Sequence, residues 1–308
     1  MKKQIAHLVI ILLLLGQGAN AQSFDSLKHL TSPVAKIYFS TGHDEQAFAI
    51  ARQINGAYTY FANLLNFKPE VILLVLDPGD WKKFASPQAV YGMPHFNSNM
   101  KTLYVAAEDN AFWKSFLPPL DKINPVLAQE ITTTYKNENG DVSMRGFFDM
   151  LALHELGHAF HLQKGINMQR NWMSEVFVNI LLHTYIAEKE PALLPALTLF
   201  PKMVIGGGSS EFTFTTLKDV HEKYQEIAMK HPKNYGWYQC RWHEGAAKIY
   251  NAAGKNVGKK IWLVLQNLKV NLSDKELASV MKTKVHTSVF ELISNWDDRT
   301  VKLANKKP

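Results

Sequence analysis

The stretch Leu151-Ala152-Leu153-His154-Glu155-Leu156-Gly157-His158-Ala159-Phe160 sets a His-Glu-x-x-His pattern inside an apolar, helix-forming run. On a helix, His154 and His158 share one face, one turn above the other. Two imidazoles so placed can bind one Zn2+. Glu155 follows the first of them and can reach a water on the ion; zinc lowers the pKa of that water, and the carboxylate takes its proton as general base. The alternative is a helix whose histidines are surface residues or satisfied core residues. The neighbours argue against it. Met150, Leu151, Leu153, Leu156, Ala159 and Phe160 make the helix apolar, and Gly157 lets another element pack closely. Histidines buried in such a helix need polar partners, and a metal would serve.

Catalytic zinc keeps three protein ligands and one open position. One scheme continues with x-x-Gly-x-x-His, but here those positions hold His161 and Lys164, and lysine is no usual zinc ligand. His161 then reads as a residue at the rim of the site or supporting a ligand. The other scheme takes a glutamate from the next helix. Gly165 ends the first helix, a short turn follows, and the second helix can pack back antiparallel. Within Asn171-Trp172-Met173-Ser174-Glu175-Val176-Phe177-Val178-Asn179, Glu175 faces His158. Asn179, one turn further, can accept the free N–H of a zinc-bound histidine. Glu175 could instead be a solvated carboxylate that favours the helix dipole, but its apolar neighbours Val176, Phe177 and Val178 speak against that.

At these residues the chain resembles the gluzincin zinc metallopeptidases, especially their aminopeptidase N-like (peptidase MA-like) branch. That branch carries His-Glu-x-x-His and, on the next helix, Trp-x-x-Glu-x-Phe; the counterpart here is Trp172-Met173-Ser174-Glu175-Val176-Phe177. The resemblance covers about residues 145–190, and more weakly about 35–255. It implies a zincin-type fold, one zinc per chain bound by His154, His158 and Glu175, and Glu155 as base.

The first 21 residues read as a signal peptide: Lys2 and Lys3, an apolar run from Ile5 to Leu15, and small residues Ala19-Asn20-Ala21 at a cleavage point. The expectation is a protein exported to the periplasm or secreted, with no stable membrane span after cleavage; an uncleaved anchor is the alternative. Loss of Lys2 and Lys3 takes the net charge from +7 to +5. That charge is spread out, without an arginine-rich stripe, so nucleic acid is not an expected partner. The lone Cys240 cannot form an internal disulfide, and stability must come from the core. Residues 22–308 suit one catalytic domain, with an N-lobe over about 22–142 and an active-site and helical lobe over about 143–308.

Along the chain, Val34 to Phe39 reads as a short strand, and His43-Asp44-Glu45 opens a helix to about Leu65 with Phe48, Ile50, Ile54, Tyr58 and Phe61 at helical spacing. Val71 to Leu76 is a continuous apolar strand stopped by Asp77-Pro78-Gly79, and Thr102 to Ala107 is another strand. The fold class is therefore α+β: a small mixed sheet, then a mainly helical lobe, with the His-Glu-x-x-His helix between them. By the resemblance, Leu103 to Ala107 is a candidate edge strand along which substrate backbone adds. Residues 200–210, with Gly206-Gly207-Gly208, read as a flexible loop, either a lid or a linker.

Peptide hydrolysis also needs a donor for the developing oxyanion. Relatives use a tyrosine in a Tyr-x-x-Gly-Ala segment, or a histidine. In the similar segment here the tyrosine position holds Trp242, followed by His243-Glu244-Gly245-Ala246. Tyr238, one turn earlier, and His243 are the candidates to replace it; each could equally serve packing or surface hydrogen bonding. Gly92-Met93-Pro94 matches only the start of the amine-binding Gly-x-Met-Glu-Asn motif of aminopeptidases, so endo- and exopeptidase action stay open. The expected function is a zinc metallopeptidase acting on peptides or proteins. The alternative is a non-catalytic zinc-containing module that binds peptide or glycan.

Overall fold

The apolar run predicted at 71–76 becomes the central strand of a five-stranded sheet. The computed structural model describes residues 23–137 and 139–297; the leader expected at 1–21 lies outside the described residues. The sheet comprises β1 (Lys28–Leu30), β2 (Lys36–Phe39), β3 (Ile72–Leu76), β4 (His95–Asn97) and β5 (Thr102–Ala106), in the order β1-β2-β3-β5-β4. β2, β3 and β5 run parallel, and the edges β1 and β4 run antiparallel to their neighbours. Parallel neighbours need a crossover, supplied between β2 and β3 by α1 (Asp44–Leu65), which matches the helix predicted from 43 to 65.

Side chains alternate across the sheet, so β3 serves two cores. Leu73 and Val75, with Leu103 and Val105, join the main core against the helices, while Leu74, Leu76 and Tyr104 pack with Phe24, Leu27 and Trp81 on the other face. Trp81 comes from α2 (Pro78–Phe84), whose N-cap Asp77 accepts the Asp80 N–H.

After β5 the chain is helical: α3 (Ala111–Lys114), α4 (Pro125–Tyr135), α5 (Arg145–Lys164), α6 (Asn171–Lys189), α7 (Leu194–Gly206), α8 (Leu217–Glu222), α9 (Tyr224–Lys230), α10 (Pro232–Ala253), α11 (Val257–Asn267), α12 (Asp274–Val280) and α13 (Thr287–Ser294). α6 is buried nearly all round, as befits a helix at the centre of a domain. It packs on α5 and α10, and α5 also meets β4 and β5. The chain is thus α+β, a small mixed sheet followed by a mostly helical region. Among the described residues no helix is long and apolar enough to cross a membrane.

Two expectations are corrected. The strand read at Leu103–Ala107 is not an edge: β5 lies between β3 and β4, and all five of its residues are buried. The edge beside α5 is β4, which the pattern missed because three half-buried residues carry no alternating run. Residues 200–206 are not loop but the second half of α7, with Pro201 inside it. A proline interrupts the helical ladder. Here the Tyr135 phenol accepts the Phe200 N–H and donates to the Ala196 carbonyl, bridging the turn before Pro201. Buried Leu197, Leu199 and Phe200 hold the helix in place despite the breaker.

Candidate metal centre

α5 carries His154, Glu155 and His158, and Gly165 ends it in the left-handed conformation (φ 68°), its N–H returning to the His161 and Leu162 carbonyls. That turn sends α6 back along α5. The two helices meet at Gly157, where a Cβ would come within 3.0 Å of the Val178 side chain. This is the close approach the glycine allowed for, and it brings Glu175 over the two histidines.

The geometry is tight. His154 Nε2 is 3.2 Å from His158 Nε2 and 3.2 Å from Glu175 Oε2, and His158 Nε2 is 3.6 Å from the same oxygen. Four-coordinate zinc, with bonds near 2.0–2.1 Å, spaces its ligand atoms about 3.3 Å apart. The triangle has that size. The side chains of His154 and Glu175 are each 5% exposed.

The other ring nitrogens fix which atoms face the centre. His154 Nδ1 lies 3.0 Å from Asn179 Oδ1, an acceptor, so Nδ1 carries the proton and Nε2 presents a lone pair. His158 Nδ1 is 2.9 Å from His161 Nε2, and when it donates there its Nε2 is bare as well. Burial pushes the His161 pKa down to about 3, so this ring is a neutral acceptor. Two lone pairs 3.2 Å apart beside a carboxylate repel unless a cation, proton or metal, lies among them. With a proton instead of a metal among these atoms, positive charge and hydrogen bonds from the His158 and His154 rings outweigh the effect of burial and hold the Glu175 carboxyl well below the ordinary carboxylate range. The buried group His154, His158 and Glu175 could hold a metal ion.

Glu155 stands beside this triangle, its Oε1 4.0 Å from His154 Nε2. Its Oε2 accepts the Phe96 N–H of β4 at 3.0 Å, so the edge strand faces the centre. Burial pushes the Glu155 carboxyl up to about 7; His154 opposes the shift and Glu175 reinforces it.

Behind Glu175 lies a polar network that the sequence reading missed. Tyr224 of α9 donates to Glu175 Oε1 at 2.8 Å, and Gln239 of α10 donates to Oε2 at 2.9 Å. The Tyr235 hydroxyl is 2.8 Å from that of Tyr224 and accepts from Gln239. With Tyr224 donating to the carboxylate, Tyr235 donates to Tyr224. Gln239 also accepts from Asn179 at 3.5 Å, closing the network onto His154. Tyr235, Gln239 and His243 recur every four residues on one face of α10, a signal available in the sequence. Tyr224 left none, because it reaches the site from a separate short helix.

Of the expected residues, His154, Glu155, His158, Glu175 and Asn179 come together. His243 is adjacent, its ring centroid 6.2 Å from that of His154, and burial pushes its pKa down to about 3. Tyr238 is not at the site: its hydroxyl donates to the Thr216 carbonyl, and its ring stacks on Trp242 and Trp296. The reason is helical phase, since Tyr238 and Trp242 lie on the buried aromatic side of α10, next to the Tyr235–Gln239–His243 stripe. No family model matches the chain, and no curated protein sequence matches it.

Proposed function

We propose that the chain is an exported zinc metallopeptidase of the gluzincin type, with a zincin-like catalytic domain, that hydrolyses peptide bonds. The observation that carries this reading is the triangle of His154, His158 and Glu175 with the carboxylate of Glu155 beside it. The donor set, two imidazoles and one carboxylate, suits zinc. Bound there, zinc would acidify a water molecule and polarise the substrate carbonyl. Glu155 takes the proton of the attacking water and returns it to the leaving nitrogen. The Phe96 N–H holds one oxygen of Glu155 and leaves the other for that exchange. β4 is the edge along which an extended peptide can add, in place of β5. Export rests on the leader expected at residues 1–21.

The test joins metal analysis with a peptide-library digest of purified protein. The expected result is about one zinc per chain, with cleavage that falls about 10²- to 10⁴-fold in Glu155→Gln while the metal stays bound. A Glu155→Gln protein as active as its parent overturns the mechanism. The second reading, a non-catalytic zinc-containing module that binds peptide or glycan, draws on Trp242 and the displaced Tyr238; tight binding by zinc-loaded protein without turnover would favour it.

A further inference from the structure

A cavity of ≈ 260 Å³ opens between α4, α6, α7 and α10; none of the residues of the metal cluster lines it. His243 joins the two places: it lines the cavity, and its ring is 6.2 Å from that of His154. His183 of α6 lines the same space. Each of these imidazoles is only 6% exposed, and neither makes a hydrogen bond to any described residue. Buried polar side chains normally find partners. Their ring nitrogens are not among the fully enclosed polar atoms left without a partner, so water or a ligand in the cavity can pair with them.

We infer that this cavity receives an uncharged hydrogen-bonding side chain of the substrate, of the carboxamide class carried by glutamine and asparagine. In naming a substrate residue this rests on the hydrolase reading above; the binding site itself does not. The volume is ample, since an apolar cavity of about 150 Å³ takes up benzene. The wall is mixed: Leu197 and Leu199 of α7 supply apolar surface, and Thr134, Thr198 and Lys202 also line it. Two carboxylates reach the solvent side, but each already has its cation: Glu130 is 4.0 Å from Lys202, and Glu244 is 2.6 Å from Lys248. No uncompensated charge is left to hold a charged ligand, which would lose its hydration on entry. A neutral imidazole offers one donor and one acceptor, and a carboxamide offers both in return. An ammonium brings only donors, a carboxylate only acceptors, and an aliphatic side chain leaves both imidazoles unpaired. Burial pushes the His183 pKa down to about 4, in keeping with an uncharged floor.

Two measurements test the inference. The first needs neither zinc nor turnover: Glu155→Gln protein is titrated with propionamide, propionate and propylammonium while the ring resonances of His183 and His243 are followed by NMR. Propionamide should move both rings saturably, and the charged analogues should leave them still. Silence with all three, meaning that the cavity holds only water, or a response to a charged analogue equal to that of propionamide, overturns the site. The second is the cleavage profile of zinc-loaded protein. At one position next to the scissile bond, glutamine or asparagine should exceed leucine, glutamate and lysine by about tenfold or more. His183→Leu should flatten that ratio, and Ala247→Leu, which fills the cavity from α10, should do the same if His183→Leu fails to fold. Cleavage without such a preference overturns the substrate assignment and spares the hydrolase. Propionamide binding without any hydrolysis overturns the hydrolase and spares the cavity.

Discussion

Two pairs of buried histidines sit side by side and are treated in opposite ways. His154 and His158 each have Nδ1 tied, to Asn179 and to His161, and aim Nε2 at Glu175. His183 and His243 are buried about as deeply as His154, have no hydrogen-bond partner among the described residues, and line a cavity. Burial alone therefore does not make a metal ligand. Fixing one ring nitrogen leaves the other as a directed lone pair, and a carboxylate at the same point completes a cation site. Without those tethers an imidazole stays neutral and free to pair with what enters.

The largest effect should come from removing a corner of the triangle. Glu175→Ala is expected to weaken metal binding by more than the roughly 10–100-fold typical of an outer partner, read by competition with a chelator; a variant that holds metal as tightly as its parent erases the distinction between the pairs. Acid probes the untethered pair. The folded pKa of His183, about 4, lies below the ordinary value of 6.5, so between those pH values the unfolded chain binds a proton that the folded chain refuses. Stability then falls as pH falls, by up to about 3 kcal/mol near pH 4 from this residue. Denaturant midpoints at pH 7 and pH 4.5 should show His183→Leu losing less than its parent, and parallel losses would contradict the neutral, buried state.

Smaller effects test the tethers. Asn179→Ala and Tyr224→Phe should each lower metal affinity about 10–100-fold in a folded protein; unchanged affinity would show that the network at Glu175 and His154 does not orient the ligands. Gly157→Ala adds one methyl group against Val178 and should cost about 1 kcal/mol of stability. If the approach of α6 to α5 sets the triangle, its metal affinity falls as well.

How much of this was legible depended on how local each feature is. The helix from 43 to 65 followed from its apolar spacing, and the central strand from an unbroken apolar run. β4 was hidden because its pairing partner, not its own residues, makes it a strand. α7 ran on through Pro201 because packing and the Tyr135 bridge outweighed a local breaker. Tyr238 looked right by counting turns, but it lies on the aromatic side of α10, and counting cannot say which face meets the site.

By itself the sequence determined the candidate ligand types and their spacing along α5, the glutamate on the next helix and the glycine that lets the two helices touch, because these rest on helical periodicity and short connections. Only the tertiary structure decided that β4 is the edge, that Tyr224, Tyr235 and Gln239 gather behind Glu175, and that His183 and His243 meet at a cavity. Those groups come from elements far apart in the chain, and their meeting is set by how whole helices pack.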